Sequence, residues 1–129
     1  AGAVIAALEN GQVAVLAGGT GNPYFTTDTT AALRALEINA STLVKATNVD
    51  GIYNSDPAKD STASRYQEID YDTVIVKDLK IMDSAAFALC RSNNMPIRVV
   101  NLNTKGNLQR VVEGEAVGTL VIKSEGKDA

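Results

Sequence analysis

Val13-Ala14-Val15-Leu16-Ala17-Gly18-Gly19-Thr20-Gly21-Asn22-Pro23-Tyr24-Phe25-Thr26-Thr27-Asp28 is the stretch on which the fold turns. Residues 13–17 form a short continuous apolar run, the pattern of a strand buried on both faces. Gly18, Gly19, Gly21 and Pro23 then crowd a loop that cannot be helical. Thr27 and Asp28 offer N-cap chemistry for a helix reaching about residue 39. A strand that passes through a glycine loop into a helix N-terminus is the opening unit of an α/β sheet.

The pattern continues on both sides. Upstream, residues 3–9 read as the end of a helix, stopped by Asn10-Gly11. Downstream, Leu33, Leu36 and Ala40 make a helical stripe. Residues 42–47 predict a second buried strand. Asp50-Gly51 and Asn54-Ser55-Asp56-Pro57 punctuate a long polar loop reaching about residue 70. Residues 71–78 predict a short helix. Residues 83–93 predict a better one, with Met82, Ala86, Leu89 and Cys90 on one face and Asn93-Asn94 at its end. Residues 97–102 read as a third strand, 107–113 as a short helix and 119–122 as a fourth strand. The charged tail, residues 123–129, is expected to fray. Strands separated by helices imply a largely parallel sheet with helices on both faces. In such sheets ligands bind beyond the carboxyl ends of the strands, so the loops after the first two strands are where chemistry belongs.

Composition bounds the function. The chain has 129 residues, with 12 Lys+Arg against 15 Asp+Glu, a net charge of −3 and a 45% hydrophobic fraction. That is the balance of one soluble globular domain. No apolar run approaches the roughly 18 residues of a membrane span. No dense Lys/Arg cluster exists to collect phosphates, so a nucleic-acid partner is not expected. A single Cys excludes a disulfide framework and a cysteine cage for a metal. The absence of His removes the His general base, the His metal ligand and the Ser-His-Asp triad together. The chain opens on Ala1-Gly2-Ala3 without Met and enters a helical pattern at once, with no signal-peptide layout. This start is expected of a cut made inside something larger.

The glycine loop carries the most chemistry. Glycine lets a backbone approach a ligand closely. Thr20, Asn22, Thr26 and Thr27 add neutral hydrogen-bonding groups, and the following helix N-terminus favours an anion. Phosphate or nucleotide contact fits this set; a tight loop with an ordinary Thr/Asp cap fits it too. The loop lacks the lysine of a P-loop and the spacing of a dinucleotide fingerprint.

Gly19-Thr20-Gly21-Asn22-Pro23-Tyr24-Phe25-Thr26-Thr27-Asp28-Thr29 closely resembles the uridine-nucleotide loop of bacterial UMP kinases, members of the amino acid kinase superfamily. The resemblance continues through Lys45-Ala46-Thr47-Asn48-Val49-Asp50-Gly51-Ile52-Tyr53 and Asp56-Pro57. It goes on through Leu79-Lys80-Ile81-Met82-Asp83, Ala86-Phe87, Pro96-Ile97-Arg98-Val99 and Gly118-Thr119-Leu120-Val121. It implies a three-layer α/β sandwich with a largely parallel sheet, of which residues 1–129 would be the C-terminal portion. It also implies UMP contact at Thr20, Gly21, Asn22, Pro23, Tyr24, Phe25, Thr26 and Thr27, with Phe25 shaping the pocket. Asp28 matches an aspartate at the reaction centre, and Asp83 one near the phosphates and metal. Both also read as plain N-caps. Thr47, Tyr53 and Asp56 match ATP-binding positions, although Asp56 before Pro57 is equally a turn residue. Asp50-Gly51 reads as turn chemistry.

The implied reaction transfers the γ-phosphoryl of Mg·ATP to UMP, giving UDP for pyrimidine nucleotide synthesis. Such transfer needs positioning and charge neutralisation more than a nucleophile. Mg²⁺ would be held mainly by phosphate oxygens and water, with no protein metal site named. Superfamily members acting on carboxylates carry a catalytic lysine in the vicinity of Asp83; here the local lysine is Lys80, three residues earlier, and that difference favours a phosphate acceptor over a carboxylate. Cys90 reads as core, and Arg98 as the partner of a carboxylate. The family implies a cytoplasmic homo-oligomer, a hexamer. Its Lys-x-Ser-Gly-Glu and Gly-Gly-Gly-Asn phosphate motifs are absent from these residues, so little kinase activity is expected of them alone. Two other readings stay open: a superfamily kinase acting on a carboxylate or carbamate, and an inactive nucleotide-binding or oligomerising fragment.

Overall fold

A computed structural model describes residues 1–124; part of the charged tail, residues 125–129, lies outside the described residues. The elements run α1 (Gly2–Glu9), α2 (Thr27–Glu37), β1 (Leu43–Thr47), β2 (Glu68–Asp70), α3 (Tyr71–Val76), α4 (Ser84–Ser92), β3 (Ile97–Asn101), α5 (Asn107–Val112) and β4 (Thr119–Ile122). They fall into two compact units. One holds Ala1–Leu43 with Met82–Met95, the other Val44–Ile81 with the chain from Pro96 onward. Among the described residues no helix is long and apolar enough to cross a membrane.

In the first unit α2 packs on α4. The cap of α2 is Thr26, one residue before the expected Thr27 and Asp28. Thr26 holds an extended backbone, and its hydroxyl accepts the Thr29 N–H at 3.2 Å. Asp28 therefore lies in the first turn, against the positive end of the helix. The buried face of α2 is Thr29, Thr30, Ala32 and Ala35, while Leu33 and Leu36 are only half-buried. Small side chains let the helix come close to the buried Ala86, Phe87 and Cys90 of α4. Asp83 caps α4 by accepting the Ala86 N–H at 3.0 Å, and the helix ends at Asn93. Cys90 is fully buried, and burial pushes its thiol up to about 11, so it is a core residue rather than a reactive one.

The expected strand over residues 13–17 does not form. Val13 is 91% exposed and Val15 88%. A strand exists by pairing, and among the described residues no strand pairs with this segment. The apolar run is present without the neighbours that would bury it.

The second unit holds a mixed, largely parallel sheet in the order β1-β3-β4-β2. β4 runs parallel to β2, with Ile69 opposite Val121, and antiparallel to β3, with Val99 opposite Thr119. Ile97, Val99, Val100 and Val121 are fully buried. Val99 and Val100 are adjacent, so β3 is covered on both faces, as its continuous apolar run predicts. β2 lies inside the stretch expected to be loop. Glu68-Ile69-Asp70 has no apolar period of its own and becomes a strand through its ladder with β4. The remaining loop is folded back on itself by an isolated antiparallel bridge between Tyr53 and Arg65.

Candidate functional site

Two groups of expected site residues take shape, one in each unit. In the first, the ends of α2 and α4 bring Asp28 and Asp83 together. An Asp28 carboxylate oxygen accepts the Asp83 N–H at 3.2 Å. The Asp83 carboxylate accepts the Thr26 hydroxyl and stands 3.4 Å from the Thr29 hydroxyl. Thr29 is buried, and its hydroxyl also meets that of Thr26 at 3.3 Å. Burial pushes the Asp83 carboxyl up, but the hydroxyls and N–H groups of Thr26, Ala86, Thr29 and Ala85 outweigh it. They hold it below its ordinary 3.8. The result is an ionised carboxylate whose orientation is set by donors from two helices. Such a group can orient cations or a hydrated metal beside a phosphate; it is too weakly basic to take a proton. Asp83 is thus both cap and candidate site residue, and the two roles coincide in one set of bonds.

The rest of the expected UMP loop leads into this cluster. Its turn is organised by Thr20, whose hydroxyl accepts the Asn22 N–H at 3.1 Å. Gly18, Gly19, Gly21 and Tyr24 have positive φ angles. Tyr24 and Phe25 are exposed, Phe25 by 57%, so neither ring is seated in a pocket of its own unit. Gly21, Asn22, Pro23, Thr26 and Thr27 are exposed as well. Neutral hydroxyl, amide and backbone donors therefore face outward along the loop.

The second unit gathers Thr47, Tyr53 and Asp56 around one cavity of about 680 Å³. Thr47 closes β1, and its hydroxyl accepts the Val49 N–H at 3.0 Å. Asp56 accepts the Ala58 N–H at 2.9 Å, so it is a turn residue and a lining residue at once. Asp50 accepts the Asn101 side-chain amide at 2.9 Å, a bond to the end of β3 rather than within its own turn, and does not line the cavity. Part of the lining has no counterpart among the expected site residues: Asp78, Leu79, Lys80 and Ile81, the segment leaving α3. Lys80 stands out in the sequence only as the lysine near Asp83. A turn after a short helix carries no local signal of what it will face. Apolar Ile52, Leu79, Ile81 and Val99 beside Lys80 make a lining suited to a flat apolar ring that bears an anionic tail.

One expected pairing is corrected. Arg98 was expected to meet a carboxylate; its guanidinium donates instead to the Val117 carbonyl at 2.9 Å. Val117 lies in the turn before β4, so the arginine spends this donor on backbone. Among the described residues no group of three or more His, Cys, Asp or Glu converges on a cation site.

A chain that sets a glycine loop on one helix end and a nucleotide-sized cavity at the ends of its strands matches a known pattern. Residues 1–101 match the amino acid kinase family, and the chain belongs to that family. A uridylate kinase of Bacteroides thetaiotaomicron is 50% identical over 117 residues, covering 91% of this chain and 50% of the relative. The UMP kinase of Bacillus anthracis superposes with a TM-score of 0.88 at 35% identity, over 98% of this chain and 51% of its own. The UMP kinase of Ureaplasma parvum gives 0.86 at 38% identity, over 95% and 52% respectively. The fold is accordingly the amino acid kinase fold. The chain spans about half the length of the relatives it matches.

Proposed function

We propose that the chain is the part of a UMP kinase that carries the UMP loop and the ATP side. The reaction is transfer of the γ-phosphoryl of ATP to UMP, giving UDP. The observation that carries this reading is the gathering of Thr47, Tyr53 and Asp56 around a single cavity. These are the residues whose match to the family implied ATP contact, and the one short stretch that carries them shares the cavity with the distant residues 78–81 and Val99. The 50% identity to a uridylate kinase supports the choice of acceptor.

In this reading Thr20, Asn22 and Thr27 contact UMP, and Tyr53 packs against the adenine or ribose while its hydroxyl makes a polar contact. Asp28 and Asp83 orient the cationic groups that neutralise the transferring phosphoryl. Mg²⁺ bound with ATP supplies charge neutralisation. The donor set fits this: carboxylates at two helix ends can hold the water shell of a phosphate-bound metal, without a closed protein cage. The enzyme is a cytoplasmic homo-oligomer, a hexamer. The 129 residues alone contribute binding more than turnover, because about half of the relatives' length lies beyond what they match.

Amide spectra of the chain test the reading. UMP is expected to perturb residues 18–28 and ATP residues 47–57 and 78–81, while aspartate, acetylglutamate and carbamate perturb neither. A coupled assay for UDP is expected to stay near background for this chain alone. Amino-acid binding in place of UMP would overturn the acceptor assignment, and near-normal turnover would overturn the division of labour.

A further inference from the structure

We propose that Thr119 is a positioning residue for the nucleotide cavity: its buried hydroxyl latches the two ends of the loop that carries Tyr53 and Asp56. The proposal rests on the reading of that cavity as the ATP side.

Thr119 opens β4 and is fully buried. Its hydroxyl accepts the Ile52 N–H at 2.9 Å and donates to the Tyr66 carbonyl at 2.5 Å. A hydroxyl has one hydrogen to give, and here it is used on one end of the loop while a lone pair holds the other. Ile52 and Tyr66 also bond each other directly, Tyr66 N–H to Ile52 carbonyl at 2.8 Å. The base of the 53–65 loop is thus a closed ring of bonds through one side chain. An apolar residue would suit the burial of this position, but it would leave an N–H and a carbonyl without that partner.

Two neighbours show how closely the base is fitted. A Cβ on Gly51 would lie 2.5 Å from the Thr119 hydroxyl oxygen and 3.0 Å from the Arg65 side chain. Arg65, which bridges to Tyr53 just above this base, straps the loop to the turn before β4 by donating to the Gly118 carbonyl at 2.6 Å. Beyond the base the loop is tied internally. Asn54 accepts the Ser64 N–H at 2.9 Å, and the Ser55 hydroxyl donates to Asp60 at 2.8 Å. A loop tied in this way moves as a body about its base. Tyr53, Ser55 and Asp56 line the cavity and Thr119 does not, so Thr119 acts on nucleotide through the loop alone.

The test compares Thr119→Val, Thr119→Ser and Arg65→Gln with the unchanged chain. Its readouts are amide exchange at Ile52 and Tyr66 and calorimetric affinity for ATP and UMP. Thr119→Val is expected to speed exchange and weaken ATP about tenfold, with UMP within about twofold, as the loss of one or two buried neutral bonds implies. Thr119→Ser keeps the hydroxyl and is expected to bind ATP like the unchanged chain. Arg65→Gln is expected to weaken ATP by a few-fold. Equal losses in Val and Ser, or equal losses of ATP and UMP, would mean packing alone and overturn the proposal. If Thr119→Val does not fold, the exposed Arg65→Gln decides, and unaltered ATP affinity there overturns it. If the unchanged chain binds no ATP, the cavity reading fails by itself. Exchange at Ile52 and Tyr66 then judges the latch, and unaltered rates in a folded Thr119→Val sink it.

Discussion

Residues 18–26 and residues 50–67 are both polar loops rich in turn chemistry, and both carry expected nucleotide contacts. They are built in opposite ways. The first is shaped by positive-φ residues and by the Thr20–Asn22 turn, and it becomes firmly tied only at Thr26, where the hydroxyl joins Asp83 to α2. The second is bridged across its base, latched to β4 and bonded internally. A loop that must present donors to a ligand can leave them facing outward. A loop that must form a wall has to spend its donors on itself. The same kinds of residue serve either end, and what differs is how many of their hydrogen bonds stay within the protein.

The largest effect is expected where the walled loop meets the sheet. Gly118 has a φ of 72°, and a Cβ there would be driven into the Val99 carbonyl oxygen and 3.1 Å from the Val100 side chain. Backbone and side chain of β3 would both have to yield. Gly118→Ala is expected to cost about 3 kcal/mol or more in urea unfolding, combining left-handed strain with a steric clash. A loss below about 1 kcal/mol would show that β3 and β4 can shift freely, and would remove the rigidity on which the contrast depends.

The tie at the end of the open loop is the next to test. Asp83→Ala removes an N-cap and the acceptor of the Thr26 hydroxyl, and is expected to cost about 1 kcal/mol. The pH dependence has a definite sign. The folded carboxyl lies below its ordinary 3.8, so its stabilisation is complete above that value and is lost as pH falls through the folded value. The difference in stability between the unchanged chain and the variant should therefore shrink in acid. A difference that stays constant from neutral pH down through the acid transition would show that the carboxylate is not the acceptor these donors hold.

Much of this was legible in the residues. Asp83 three residues before Ala86 reads as a cap, and Ala86, Leu89 and Cys90 read as one face; α4 follows. The apolar run at residues 97–102 becomes a strand covered on both faces. Thr47, Tyr53 and Asp56 are named by resemblance and meet at one cavity. What stayed illegible depends on partners distant in the chain. β2 is a strand only because β4 lies beside it, and Lys80 is a wall residue only because α3 ends where it does. The latch is less visible still, since a threonine at the head of Thr119-Leu120-Val121-Ile122 looks like any β-branched strand residue. Its hydroxyl gains meaning from an N–H 67 positions away.

The run at residues 13–17 separates the two kinds of legibility, and the smallest predicted effect tests it. By pattern it equals residues 97–102, yet Val13 and Val15 stand 91% and 88% exposed while Val99 and Val100 are buried. Apolar periodicity reports what a segment could bury, whereas burial requires a neighbour to bury it against. In this chain Val13→Thr and Val15→Thr are each expected to change unfolding stability by no more than about 0.5 kcal/mol, as surface substitutions do. Val99→Thr, at the same kind of residue, places an extra hydroxyl in the core and is expected to cost several times more. If the Val13 and Val15 variants lose as much as the Val99 variant, the segment is paired in solution. The first loop would then be anchored on its strand side as firmly as the second.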